Sequence, residues 1–209
     1  MYKLYGSPGA ASFAVHWLLL ELGEPFEVQF LDFAQNEQKS PQYLRLNPNG
    51  HVPVLVKGDW VMYEAAAIAI WLSEQHSALG LAIPASAPER ALGLQWMFHL
   101  ANGLQPVFRQ WFYPTDYIQP PENERLMSNA KARIEACFER INAHLSQQPY
   151  FAGAEPCVVD FHGLMLMRWS RNMPKPATEW PAIAAFVKRM KARPSFKTLN
   201  AREGLTEWL

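Results

Sequence analysis

The sequence predicts an α/β domain followed by an all-α domain. Up to about residue 76, short alternating segments are separated by helical ones, and from residue 89 every long segment has helical periodicity. Between them, residues 77–88 are small and uncharged and include two prolines, which is typical of a linker. We therefore assign residues 1–76 to the first domain, 77–88 to the linker and 89–209 to the helical domain.

The first domain has the predicted element order β-α-β-α-β-β-α. Residues 1–5 have the alternating side-chain pattern that is typical of a strand, and the turn residues from Gly6 to Gly9 end it. Residues 12–22 are apolar on nearly all sides, which predicts a buried helix. Residues 26–31 alternate again, and a strand, helix and strand within about 30 residues favour parallel pairing. Residues 39–46 predict a short helix or an irregular turn.

The stretch from Asn47 to Leu55 is the feature around which the first domain is organised. Turn residues lead into a strand that begins with Pro53, and a proline there leaves neighbouring main-chain groups unpaired. Residues 60–63 predict the next strand, and an apolar helix follows directly from Glu64. A strand that delivers the chain to a helix N-terminus creates an anion site, because several N–H groups are unpaired there. We expect a small, extended, peptide-like anion at this place.

Helical periodicity predicts four segments in the second domain. They are residues 89–112, 122–145, 159–170 and 180–193. Pro106 lies inside the first of them and is a candidate kink, whereas Pro181 occupies the first turn of the last.

Composition limits the classes of protein that fit the chain. Its 209 residues, 49% of them hydrophobic, suffice for one large core or two small ones. The formal net charge is zero, which gives no indication of nucleic-acid binding. No apolar run approaches the roughly 18 residues of a membrane span, and a signal-peptide pattern is lacking. Cys137 and Cys157 form neither a disulfide framework nor a metal-ligand spacing, so we expect a cytoplasmic protein without a metal.

Together these segments resemble a cytosolic glutathione S-transferase over essentially the whole chain. The motifs that support the resemblance are Leu4-Tyr5-Gly6-Ser7-Pro8, Lys39-Ser40-Pro41, residues 47–55, Glu64-Ala65-Ala66-Ala67-Ile68, Phe151-Ala152-Gly153, Val159-Asp160, Trp180-Pro181 and Arg193-Pro194-Ser195. The resemblance implies a thioredoxin-like N-terminal domain, an all-helical C-terminal domain and usually a homodimer. It also implies glutathione as the ligand and a cis peptide bond before Pro53.

The resemblance further implies an enzyme of detoxification that conjugates the glutathione thiolate to an electrophilic, largely apolar small molecule. A non-catalytic binding or regulatory protein of the same fold is the alternative. Ala10, Ala11 and Ala65 favour that alternative, because relatives commonly have reactive or hydrogen-bonding groups at these positions. A thiol–disulfide reductase is disfavoured, since the first loop contains no cysteine.

The candidate glutathione-binding residues are Lys39, His51, Val52, Pro53, Glu64 and Ala65. In the family, the residue before the proline, here Val52, offers its main-chain N–H and C=O to the cysteinyl part of glutathione. Glu64 can pair with the ammonium of the γ-glutamyl end, and the helix N–H groups can hold its carboxylate. Lys39 and His51 flank the glycyl end. The structural alternatives are a plain edge-strand turn, a helix-dipole stabiliser at Glu64 and solvated side chains at Lys39 and His51.

Ser12 is the candidate catalytic residue. A thiol with a pKa of about 8.5 is mostly protonated at neutral pH and needs a donor or a positive helix end to become a thiolate. Relatives place a serine, tyrosine or cysteine in the loop that enters the first helix. Here Ala10 and Ala11 occupy those positions, so Ser12 is the hydroxyl left at that end of the helix. The alternative is that Ser12 is a helix N-cap.

Two further assignments lie in the helical domain. Phe108, Arg109, Phe112 and Tyr113 are candidates to line the second-substrate pocket, with an aromatic core stripe as the alternative. Residues 157–160 match the family's capping box, with cysteine in place of the usual serine or threonine.

Overall fold

The computed structural model describes residues 1–208, and the chain divides into two compact units. The first unit consists of residues 1–84 together with the chain from Lys191 onward, and the second consists of residues 85–190. The sequence assigned everything after residue 88 to the helical domain, whereas in the structure the C-terminal segment groups with the N-terminal unit.

The first unit is built on a mixed sheet of strand order β2-β1-β3-β4. Strand β1 (Tyr2–Gly6) pairs parallel with β2 (Phe26–Phe30) and antiparallel with β3 (Val54–Lys57). Strand β3 pairs antiparallel with β4 (Trp60–Tyr63) through the predicted hairpin. The parallel pairing of the first two strands, expected from the short strand–helix–strand spacing, is confirmed.

The helices are, in chain order, α1 (Ser12–Leu22), α2 (Pro41–Leu44), α3 (Ala65–Gln75), α4 (Glu89–Phe98), α5 (Gln105–Phe112), α6 (Asn123–Leu145), α7 (Val158–Trp169), α8 (Pro181–Lys191) and α9 (Pro194–Glu203). The order β-α-β-α-β-β-α followed by helices is the predicted one. The thioredoxin-like domain and the helical domain are therefore both confirmed. No helix within residues 1–208 combines the length and apolarity needed to span a membrane.

The structure departs from the predicted helices at two places. The segment predicted as one helix over 89–112 contains a π-helical turn, His99–Leu104, and Pro106 lies in the first turn of the helix that follows it. Helix α9 was not predicted, because its sequence after Pro194 has no clear apolar periodicity.

Helix α9 packs on α1 inside the first unit. The ring of Phe196 lies 6.3 Å from Phe13 and 5.1 Å from Trp17, centroid to centroid. The Trp17 indole N–H donates a 2.8 Å hydrogen bond to the Ser195 hydroxyl. Since α1 is buried along nearly its whole length, it forms a core element between the sheet and α9.

Candidate functional site

Strand register brings three loop segments to one end of the sheet. Tyr5 is paired with Val54, and Val54 is paired with Tyr63. Beyond these three residues the chain continues as the β1–α1 loop (residues 7–11), the Val52-Pro53 segment and the start of α3. The three segments are therefore neighbours, although they are far apart in sequence.

The Val52–Pro53 peptide bond is cis, as the resemblance implied. Pro53 is buried and Val52 is half-buried. Within residues 1–208, no hydrogen bond is made to the main-chain N–H or C=O of Val52. A main-chain donor and acceptor thus stand free beside β3, which is what an extended peptide requires for strand-like pairing.

The start of α3 is open. Glu64 precedes the helix with φ +76° and ψ +104°, a conformation that L-residues rarely adopt, and its exposed side chain makes no capping hydrogen bond. The first helical hydrogen bond runs from the Ile68 N–H to the Glu64 carbonyl. The N–H groups of residues 65–67 consequently have no acceptor in the described chain, and the positive end of the helix dipole faces the same region.

The β1–α1 loop is closed by Ser12. Its hydroxyl donates to the Ser7 carbonyl and accepts from the Ser7 N–H, both at 3.1 Å, and the side chain is buried. Gly6 permits this approach, because a Cβ there would lie 2.6 Å from the Ser12 hydroxyl oxygen. Helix α1 begins at Ser12, so Ser12 is not the N-cap, and Ala11 before it provides no side-chain cap. Among the described residues, the N–H groups of Ala11 and Ser12 have no acceptor.

The loop before Val52 is held by its own polar groups. The Lys39 ammonium donates to the Asn49 carbonyl at 3.1 Å. The His51 carbonyl accepts hydrogen bonds from the Tyr43 hydroxyl and the Asn47 side-chain amide, each at 2.8 Å. Lys39 is thus brought to the loop that contains His51, and both side chains are exposed.

The four candidates for the second-substrate pocket have different environments. Phe108 is fully buried, with its ring 5.8 Å from Trp169, so the structure gives it a place in the core of the second unit rather than on a pocket wall. Phe112 and Tyr113 are 43% and 49% exposed. The guanidinium of Arg109 lies 5.1 Å from the Tyr113 ring centroid. An exposed apolar surface therefore exists at the end of α5, without Phe108.

Comparison with known proteins identifies the family. Residues 1–74 match the family model of the glutathione S-transferase N-terminal domain, and residues 104–194 match that of the C-terminal domain. The glutathione S-transferase GST-4.5 of Xanthomonas campestris is 32% identical over 204 residues, covering 97% of this chain and 99% of that protein. This chain belongs to the glutathione S-transferase family.

Solved structures agree with this assignment. The glutathione S-transferase of Xylella fastidiosa is 32% identical and superposes with a TM-score of 0.90, covering 98% of this chain and 100% of that one. A sphingomonad glutathione S-transferase complexed with glutathione is 25% identical, with a TM-score of 0.86 and coverage of 98% and 100%. The family resemblance inferred from the motifs is confirmed.

Sequence reasoning missed two buried polar residues beside the β1–α1 loop. The Glu203 carboxylate accepts a 2.7 Å hydrogen bond from the Gly9 N–H in the β1–α1 loop and lies 2.8 Å from His16 Nδ1. The one available signal was His16 itself, since a polar ring in a helix that is apolar nearly all round needs a buried partner. No group of three or more metal-ligating side chains occurs in the part of the chain that the structure describes.

Proposed function

We propose that this family member is a glutathione transferase, which conjugates the thiolate of glutathione to an electrophilic, largely apolar small molecule. The observation that supports this most is the convergence of Val52, the α3 start and the α1 start at one end of the sheet, each with unpaired main-chain groups. A tripeptide with a carboxylate at each end matches that set of donors and acceptors.

Each part of glutathione has a partner in this arrangement. The cysteinyl residue pairs with the main chain of Val52, beside the cis bond to Pro53. The γ-glutamyl carboxylate accepts from the open N–H groups that begin at Ala65, and its ammonium pairs with Glu64. The glycyl carboxylate meets Lys39, with His51 as a further donor.

The thiolate is favoured by the start of α1. The main-chain N–H groups of Ala11 and Ser12 are available as donors, and the helix dipole adds a positive potential. The thiol proton passes to water, the sulfur lone pair forms the S–C bond, and a leaving group departs with the electrons of the bond it breaks. The Ser12 hydroxyl remains the alternative donor, but its single proton is engaged with Ser7, so it would have to leave that partner first.

The second substrate and the assembly are also part of the proposal. The exposed rings of Phe112 and Tyr113, beside Arg109, supply apolar surface suited to an electrophile. Val61 and Tyr63, 39% and 37% exposed on strand β4, suit a homodimer contact, which light scattering tests. Both cysteines are free and buried, in keeping with a cytoplasmic detoxification enzyme.

Calorimetry and a conjugation assay test the proposal together. Glutathione is titrated into the protein, and turnover is then measured with an activated aryl halide for the wild type and Ser12→Ala. Binding with turnover that survives in Ser12→Ala supports thiolate stabilisation by the main-chain N–H groups. Binding with turnover lost only in the variant assigns the role to the Ser12 hydroxyl.

The alternative function is a non-catalytic glutathione-binding protein, which the engaged Ser12 hydroxyl and the methyl side chains of Ala10 and Ala11 favour. Binding without turnover in the wild type would establish it. Absence of binding at millimolar glutathione would contradict both functions.

A further inference from the structure

The carboxyl group of Glu203 joins two parts of the first unit that approach the proposed thiol site. Glu203 is the last residue of α9, and its side chain is completely buried. One oxygen accepts the Gly9 N–H at 2.7 Å, and the other lies 2.8 Å from His16 Nδ1, which is itself 1% exposed. A single buried carboxyl thus ties the β1–α1 loop to the body of α1.

Within the loop, the hydrogen bond to Glu203 is made by Gly9, the residue type with the greatest backbone freedom. Gly9 has φ +68°, a left-handed conformation that glycine allows at little cost. The next residue, Ala10, donates to the Ser7 carbonyl, and the first unpaired N–H belongs to Ala11, directly before the helix. Because only one residue separates Gly9 from Ala11, a shift of Gly9 moves the N–H groups that face the proposed thiolate.

We propose that Glu203 is a positioning residue for the glutathione thiol, with His16 as the partner that lets its carboxyl remain buried. This inference rests on the proposed transferase function and deepens it. Glu203 holds the Gly9 N–H, and through it the N–H groups of Ala11 and Ser12, in the orientation that favours the thiolate. The C-terminal helix is thereby a part of the thiol site rather than only a packing element.

The direction in which the thiol pKa changes distinguishes positioning by Glu203 from a direct effect of its charge. A carboxylate near the site disfavours a thiolate through its charge, so removing that charge alone would lower the pKa of the thiol. Loss of positioning has the opposite effect, because the N–H donors no longer meet the sulfur. Two substitutions isolate the terms: Glu203→Gln removes the charge but keeps an oxygen acceptor of the same reach, and Glu203→Asp keeps the charge but is one methylene too short.

A matched control lies at the other end of α9. The Arg193 guanidinium is paired with the Glu21 carboxylate, at 2.5 Å for the closer contact, and this pair also fastens α9 to α1. Glu21 makes no contact with the β1–α1 loop in the described chain. Glu21→Gln therefore weakens the docking of α9 and leaves the link between Glu203 and Gly9 in place.

The experiment measures the thiol pKa of bound glutathione from its thiolate absorbance as a function of pH. We expect it to be about one unit higher in Glu203→Asp than in the equally charged wild type and no higher in Glu203→Gln, with a roughly tenfold lower kcat/KM of the aspartate variant at slightly acidic pH. Glu21→Gln should lower the melting temperature without moving the thiol pKa. A thiol pKa in Glu203→Asp no higher than in the wild type, a rise as large in Glu203→Gln, or a rise as large in Glu21→Gln, would overturn the proposal.

Amide hydrogen exchange at Gly9 tests the hydrogen bond between Gly9 and Glu203 without glutathione. We expect the wild type and Glu203→Gln to protect this amide, and the aspartate variant to exchange it roughly tenfold faster. A Gly9 amide that exchanges at the rate of an open loop in the wild type would refute the positioning role even if glutathione binds. Protected exchange without glutathione binding would instead refute the proposed function alone.

Discussion

Helices α7 and α3 begin in opposite ways, although both must satisfy the same kind of unpaired N–H groups. At α7, the buried Asp160 carboxyl accepts from the Cys157 N–H at 2.7 Å and from the Phe151 N–H at 2.9 Å. At α3, Glu64 stands at φ +76° with an exposed side chain and caps nothing. A helix start closed by its own side chains serves folding, whereas an open one has donors to spare for a ligand.

The start of helix α1 is intermediate between the capped start of α7 and the uncapped start of α3. The Ser12 hydroxyl closes the loop on Ser7, and Glu203 fixes Gly9, yet the first N–H groups of the helix stay without an acceptor in the described chain. Side-chain hydrogen bonds thus hold the loop, and its main-chain N–H groups at Ala11 and Ser12 remain available as donors. In the proposed function, side chains fix the geometry of this loop and its main-chain N–H groups stabilise the thiolate.

The largest expected effect comes from opening the closed start of α7. Asp160→Ala leaves two buried N–H groups unpaired, so we expect a loss of about 3 kcal/mol in unfolding free energy, measured in urea. Glu139→Ala, an exposed carboxyl on α6, is the control and should change stability by less than about 0.5 kcal/mol.

The loss at Asp160 also depends on pH. Burial raises the pKa of Asp160 to about 6, although hydrogen bonds from Cys157 and Phe151 act in the opposite direction. The folded protein then holds this proton more tightly than the unfolded chain, so the contribution of Asp160 to stability is present below about pH 4 and is lost as pH rises to about 6. The deficit of Asp160→Ala should be greatest near pH 4. A deficit that grows towards pH 7 would contradict this.

The next largest effect concerns ligand affinity at the open start. Glu64→Ala removes the proposed charged partner of the glutathione ammonium, and we expect roughly 10- to 100-fold weaker binding in calorimetry. Asp59→Asn removes the same charge in the exposed turn at the opposite end of the sheet and should leave the affinity unchanged. Equal losses in both variants would mean that only net charge matters.

A smaller effect is expected at the intermediate start. Ser12→Ala removes two hydrogen bonds to Ser7, and we expect a loss of about 1 kcal/mol in stability. The thiol pKa of bound glutathione should rise by less than about half a unit, since the main-chain donors remain. A loss of turnover of about 100-fold, at unchanged glutathione affinity, would instead identify the hydroxyl as the donor to the thiolate.

The smallest expected effect is a gain in stability from a better N-cap at the start of α7. Cys157 is buried at the α7 N-cap, where a thiol is a weak acceptor and serine a good one. Cys157→Ser should raise the unfolding free energy by about 0.5–1 kcal/mol. A thermal melt with a clearly lower midpoint would show that packing of the sulfur outweighs the better cap.

The sequence predicted those parts of the fold that depend on local pattern. Alternation located β1 and β2, all-round apolarity located α1, and the order of turn residues before Pro53 located the entry to β3. The cis bond at Pro53 followed from family resemblance rather than from composition. The binding roles of Val52, Glu64 and Lys39 and the catalytic role of Ser12 stay predictions for the experiments above.

What the sequence did not predict depends on contacts between distant residues. Glu203 lies 187 residues from His16, and nothing local marks it as a partner. Helix α9 is positioned by the contacts of Phe196 and Ser195 with Trp17, and its own sequence has no clear apolar periodicity. The closure of Ser12 on Ser7 likewise requires the tight turn that Gly6 permits.

Amide chemical shifts during a glutathione titration test the contrast between open and closed helix starts most directly. We expect the largest changes at the N–H groups of Val52, Ala65 and Ala66, smaller ones at Ala11, and none at Asp160. Saturating glutathione that leaves the amides of Val52 and Ala65 unmoved, or that perturbs the α7 start as strongly, would contradict it.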